Sequence, residues 1–161
     1  MNFWGRVIGE NNMNDRSKNP RYVKHRRWGV VQIYYLSNWF YKKGLKKIAY
    51  ILKYINIIIF RVYIPPEVQI GKRLDLPHGG HGVVIHRDTV IGDDAIIFHN
   101  VTIANGGVII GDRVYIGTGA VIIGPVTIGN DVAIGANAVV NFDVPDGAVV
   151  VGPLARIVKK R

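Results

Sequence analysis

The 161-residue chain has no cysteine. That excludes disulfides, thiolate metal sites and a cysteine acyl-enzyme, and it suits a reducing compartment such as the cytoplasm. Serine is almost absent too, with Ser17 and Ser37 alone. No apolar stretch is long enough to span a bilayer: the best, Leu45 to Tyr63, carries Lys53 near its middle. Met1 to Gly9 lacks the cationic start and continuous apolar run of a secretory signal, so none is expected. Acidic residues are scarce at one end. Residues 1–62 hold two acids against thirteen Lys/Arg, whereas residues 63–161 hold nine against eight. The net charge of +10 therefore belongs to the N-terminal part. Two readings fit it: a solvated helical face, or contact with an anionic surface such as the inner face of a membrane. Nucleic acid is not expected as a partner, because no base-reading motif accompanies the charge.

What is abundant is a period of six. Ile85, Ile91, Ile97 and Ile103 form one series. Ile110, Ile116, Ile122, Ile128, Ile134 and Val140 form a second, one residue out of step. Four places after every aliphatic but Ile103 stands a small or β-branched residue: Thr89, Ala95, Val101, Val114, Ala120, Val126, Val132, Ala138 and Val144. Gly92, Gly111, Gly117, Gly129 and Gly135 directly follow an aliphatic, and the expected reason is the backbone freedom of a corner. A six-residue period is neither helical nor that of one long strand. It predicts short strands and turns coiled into a tube, whose aliphatics stack about 4.8 Å apart.

Three regions follow: a basic, aromatic-rich helical region over 1–63, the repeat over 64–144, and a turn with a basic tail over 145–161. Asn19-Pro20 predicts a helix start, with a helix through Arg21 to Tyr41 and a kink at Gly29. In the second helix, Ile48, Ile51, Leu52, Ile55, Ile58 and Ile59 share one face. That face is expected to cover the open end of the tube or a partner subunit; the rival reading lays it on a membrane. The rhythm runs through Ile64, Ile70 and Leu76, then breaks. Nine residues separate Leu76 from Ile85, and the gap holds Pro77-His78-Gly79-Gly80-His81-Gly82.

The stretches LPHGGHGVVIHRDTVIGDDAIIFHNVTIA and IGDRVYIGTGAVIIGPVTIGNDVAIGANAVVNFDVPDGAVVVGPLARIV resemble the hexapeptide-repeat acyltransferases. The likeness points to the serine acetyltransferase branch and the related capsule and lipopolysaccharide O-acetyltransferases. It implies an all-β, left-handed parallel β-helix, a homotrimer, and acetyl-CoA held in a groove between copies. By position, it implies that His78 is the catalytic base, with His81 a competitor because the loop is one residue longer. It places Gly119, Ala120, Ala136 and Asn137 along the pantetheine arm, and Arg156 and Lys159 near the CoA phosphates. The serine enzymes carry an Asp where this chain has Tyr63, and a longer His-bearing loop where it has Ala104-Asn105-Gly106-Gly107. Those departures favour a sugar or polysaccharide-precursor hydroxyl as acceptor, with serine the alternative.

Acetyl transfer to a hydroxyl needs a base, for which imidazole with a free pKa of about 6.5 is suited. It also needs a donor for the developing oxyanion, and the glycine amides at 79, 80 and 82 are candidates. Asp75 is the candidate partner that orients the base, Tyr63 an alternative, and His99 a candidate on the acceptor side. His86 is expected at the surface or at a subunit contact, and His25 in the basic helix. No resident metal is expected. Three rivals remain: zinc gathered at a subunit interface by His78, His81, His86 and His99, as in the β-helical carbonic anhydrases; a trimeric scaffold without activity; and an amine acceptor.

Overall fold

The computed structural model describes residues 29–152. Helix α1 (Val30–Lys42) and helix α2 (Lys46–Ile55) form an antiparallel pair, and α2 runs on into a π-helical turn, Asn56–Phe60. Gly29 is the N-cap residue of α1, and its amide donates to the Gln32 side chain. The predicted kink is thus a helix start; the stretch before it, with His25, lies outside the described residues. Gly44, at φ +80, turns the chain between the helices. The pair is tied by polar contacts: the Ser37 hydroxyl donates to the Ala49 carbonyl at 2.7 Å, and Asn56 Nδ2 to the Val30 carbonyl at 3.1 Å.

Twelve strands of two or three residues follow: β1 (Gln69–Ile70), β2 (Val84–Ile85), β3 (Val90–Ile91), β4 (Ile96–Ile97), β5 (Thr102–Ala104), β6 (Val108–Ile110), β7 (Tyr115–Ile116), β8 (Val121–Ile123), β9 (Val126–Ile128), β10 (Ala133–Ile134), β11 (Val139–Val140) and β12 (Val149–Val150). They form three parallel four-stranded sheets in the orders β1-β3-β6-β9, β2-β5-β8-β11 and β4-β7-β10-β12. Each turn of chain visits all three sheets, which makes a triangular prism. Its rungs continue past Val144, because Val149 and Val150 pair with Ala133 and Ile134.

All the aliphatics of both six-residue series are at most 2% exposed, and the small residues four places later at most 4%. Equivalent positions stack: Ile91 pairs with Ile110 and Ile110 with Ile128, while Ile103 pairs with Ile122 and Ile122 with Val140. The interior is therefore a column of branched side chains, each contributing roughly 1.5–3 kcal/mol on burial.

The glycines after the aliphatics do something other than expected. Left-handed φ at the corners falls largely on polar residues, including Arg73, Asp94, Arg113 and Asp131. A Cβ on Gly71, Gly92 or Gly111 would instead lie 2.7–2.9 Å from the carbonyl carbon of the glycine on the next rung. Glycine is required there by the close approach of stacked backbones.

The end of the prism is also covered by a different helix from the one expected. From α1, the buried Tyr34 hydroxyl donates to the Val68 carbonyl at 2.7 Å, Tyr35 to that of Gly71, and Asn38 to those of Pro66 and Val68. Burial pushes the Tyr34 and Tyr35 hydroxyls above the ordinary tyrosine range. Ile48, Ile51, Ile58 and Ile59, read as covering the tube end or a partner subunit, do not cover the tube end and are exposed in the single chain. Periodicity identifies a face; it does not say what that face meets.

Candidate active site

One edge of the prism joins the β4 sheet to the β2 sheet. On successive rungs it is built from 77–82, 98–100, 117–119 and 135–137. Amides link the layers: Asn100 N–H donates to the His81 carbonyl at 2.8 Å, Gly119 to that of His99 at 3.2 Å, and Asn137 to that of Thr118 at 2.9 Å. The lowest layer is the histidine loop, which lengthens its turn: Asp75 pairs with Ile96 and Tyr63 with Val84 across it.

The loop is a distorted 3-10 turn, Pro77–Gly80, with His78 at φ 58 and Gly79 at φ 75. Leu76 is buried and anchors it, with a Cβ on Gly80 falling 2.9 Å from the Leu76 side chain. His78 and His81 are both exposed. The His78 ring meets the His99 ring edge-on, centroids 5.3 Å apart, and lies 6.2 Å from Phe98, which itself packs at 5.2 Å against Tyr115. His99 is half-buried, and its Nδ1 is shielded from solvent with no hydrogen-bond partner among the described residues. His81 Nδ1 lies 3.0 Å from the Phe60 carbonyl oxygen. The carbonyl can only accept, so Nδ1 carries the proton in that contact. In neutral His81, Nε2 is then left with a lone pair.

The fold thus brings the rings of His78 and His99 together and sets His81 on the same loop as His78, turned to the Phe60 carbonyl. It keeps His86 apart, on the corner that follows β2, where its Nδ1 is 3.3 Å from the Asp88 amide. Among the described residues, no three His, Cys, Asp or Glu side chains of one chain are grouped to hold a metal. Asp75 sits half-buried on the rung beneath Ile96, with its backbone paired to Ala95 and Ile97. Tyr63 is 38% exposed beside β2, and its ring lies 5.5 Å from Lys53 Nζ. Two of the loop amides are engaged, Gly79 with the Leu76 carbonyl and Gly82 with that of Arg61, which removes both as oxyanion donors.

Above the histidines, Gly119 has φ +70, and a Cβ there would fall 2.3 Å from Asn137 Oδ1. Gly82 stands in the same relation to Asn100, at 2.1 Å. Ala136 and Asn137 are exposed along this edge. Ala120 leaves the candidate groove: its side chain is fully buried, its amide donates to the Gly117 carbonyl, and its own carbonyl accepts from Thr102. Arg156 and Lys159 lie outside the described residues. Sequence reading missed Phe98 and Tyr115, the aromatic wall beside His78. Both follow the period, Phe98 one place after Ile97 and Tyr115 one place before Ile116.

Residues 107–141 match the family model for the bacterial transferase hexapeptide (six repeats). The chain is similar to the serine acetyltransferase of Helicobacter pylori, 39% identical over 134 residues that cover 79% of this chain and 78% of that protein. It is similar also to the serine acetyltransferase of Mycobacterium tuberculosis, 38% identical over 141 residues, 83% of this chain and 59% of the other. Among solved structures, the Neisseria gonorrhoeae serine acetyltransferase in complex with serine has a TM-score of 0.72 and 35% identity, over 80% of this chain and 55% of that one. A serine acetyltransferase in complex with CoA has a TM-score of 0.73 and 32% identity, over 80% and 55%. The chain spans about half the length of these solved structures. With the prism and its histidine-bearing edge, these likenesses place the chain in the hexapeptide-repeat transferases, within the serine acetyltransferase family of acetyl-CoA-dependent enzymes built on a left-handed parallel β-helix.

Proposed function

We propose that the chain transfers an acetyl group from acetyl-CoA to an acceptor hydroxyl, directly and without an acyl-enzyme. The observation that carries this reading is the edge on which His78, His81 and His99 stand beneath the column of Gly119, Ala136 and Asn137. His78 takes the hydroxyl proton as the acceptor oxygen attacks the thioester carbonyl carbon. The C–S bond then breaks and the imidazolium returns the proton to the departing CoA thiolate, so the proton count closes. His81, with Nδ1 fixed on the Phe60 carbonyl, is the alternative base. Asp75 and His99 are the candidates for orienting the base and meeting the acceptor. The pantetheine arm runs along Gly119, Ala136 and Asn137, the last two being the exposed ones, and Arg156 and Lys159 meet the CoA phosphates. Three copies complete the groove.

Serine moves ahead of a sugar hydroxyl as the acceptor, because the relatives named above are serine acetyltransferases. A sugar hydroxyl keeps second place on one observation. At Tyr63, where the serine enzymes carry an Asp, this chain presents a phenol beside the Lys53 ammonium. The test is acetyl-CoA-dependent thiol release against serine, nucleotide sugars and glycans. Thiol release that requires one acceptor and collapses in His78→Ala is expected. Absence of thiol release with every acceptor, or stoichiometric zinc in the purified protein, overturns the reading.

A further inference from the structure

The outer face of α2 and its π turn is arranged the opposite way from an ordinary packed helix. Toward α1 it buries Ala49, and it also buries Lys53, only 9% exposed, with its ammonium 5.1, 4.3 and 5.5 Å from the rings of Tyr50, Tyr54 and Tyr63. Away from α1 it presents Leu45, Ile48, Ile51, Tyr54, Ile58 and Ile59, with Ile51, Ile58 and Ile59 exposed by 59, 78 and 63%. Large branched side chains at such exposure on contiguous turns form a patch, not scattered surface residues. Lys47, Ile51, Tyr54 and Ile58 follow one another at helical spacing, so cation and apolar stripe share a face. Lys42, Lys43 and Lys46 are exposed at the same end of the helix pair. From Gly29 to Pro66 there is no acidic residue.

We propose that this face lies on an anionic lipid bilayer, with the isoleucines among the acyl chains and the lysines at the headgroups. No described helix is long and apolar enough to cross a membrane, so the helix lies in the interfacial plane. Charge argues against a two-fold contact with a second copy of the chain. A two-fold contact sets a patch against itself, which here would bring lysines against lysines with no carboxylate between them. An anionic bilayer meets both halves of the surface at once: apolar area to bury, and negative charge for each lysine near the headgroups. This inference does not depend on the acetyl-transfer reading.

The experiment is co-sedimentation of the full chain with vesicles of phosphatidylcholine alone and of phosphatidylcholine mixed with phosphatidylglycerol, at rising salt. Wild type is expected to sediment with the anionic vesicles, weakly with the neutral ones, and less as salt rises. Ile51→Asp with Ile58→Asp, and separately Lys46→Glu with Lys47→Glu, should each weaken partitioning by at least about tenfold. The melting temperature and the mass by light scattering should hold, because these side chains are exposed. Wild type that fails to bind anionic vesicles, or binds both kinds equally, overturns the proposal. So does loss of oligomer mass in the isoleucine variant, which would assign the face to another copy. The salt series on wild type decides the matter even if a variant fails to fold.

Discussion

Two edges of the prism can be set side by side. Along the edge between the β1 and β4 sheets, Asp93 Oδ1 accepts from the Lys72 amide, Asp112 from that of Asp93, Asn130 from that of Asp112, and Asp146 from that of Asn130. Arg73 clasps Asp94 with two hydrogen bonds of 2.6 Å, and Arg113 clasps Asp131 with bonds of 2.6 and 2.7 Å. The Asp131 hydrogen bond and charge hold the Arg113 guanidinium more firmly protonated than usual. Along the edge between the β4 and β2 sheets the rungs repeat in the same way, yet His78 and His81 are exposed and His99 keeps a buried nitrogen with no partner among the described residues. The first edge satisfies its own polar groups and closes the structure. The second leaves proton-carrying groups for something outside the chain. One backbone repeat serves both, so the chemistry is set by side-chain choice and by the loop at 77–82.

That contrast can be broken in order of expected size. His78→Ala should lower turnover by roughly two to four orders of magnitude, measured by thiol release, with the melting temperature unchanged. If His81→Ala does this instead, the base is His81. Ile134→Ala, beneath both edges, should cost about 2–5 kcal/mol in chemical denaturation, and a change within error would mean that the tube interior is not filled as described. Gly111→Ala, at the self-satisfied edge, should cost about 1–3 kcal/mol, because its Cβ would lie 2.9 Å from the Gly129 carbonyl carbon. Arg113→Ala should cost roughly 0.2–1 kcal/mol and leave kcat unchanged, since it removes one half-exposed pair far from the histidines. A large loss of activity there would erase the distinction between the edges.

The prism was legible because one residue in six must fill a tube that admits little else, and the pattern survives even the extra residue between Ile103 and Ile110. The histidine loop was legible as a break in that rhythm. The Asp93, Asp112, Asn130 column was present in the sequence too, each two places after Ile91, Ile110 and Ile128, but it shows as a column only once the rungs are stacked. The glycines were found for the wrong reason, because spacing records that a Cβ is missing without recording what would strike it. The tube-end placement of helix α2 failed for a similar reason: its apolar face is plain in the sequence, while the tyrosines of α1 that occupy the prism end carry no periodic mark. Likewise, the withdrawal of Ala120 into the interior follows from its place four after Ile116, a position that the repeat reserves for the core.

The hydroxyls of Tyr34 and Tyr35 and the amide of Asn38 have one more consequence. A stack of parallel strands offers its first layer as a template, and a second molecule could in principle add its last layer there and continue without limit. In this chain the carbonyls of Pro66, Val68 and Gly71 are already taken by side chains that cannot act as strands. End-to-end growth from this layer into a fibre is thereby opposed by three polar atoms on one helix.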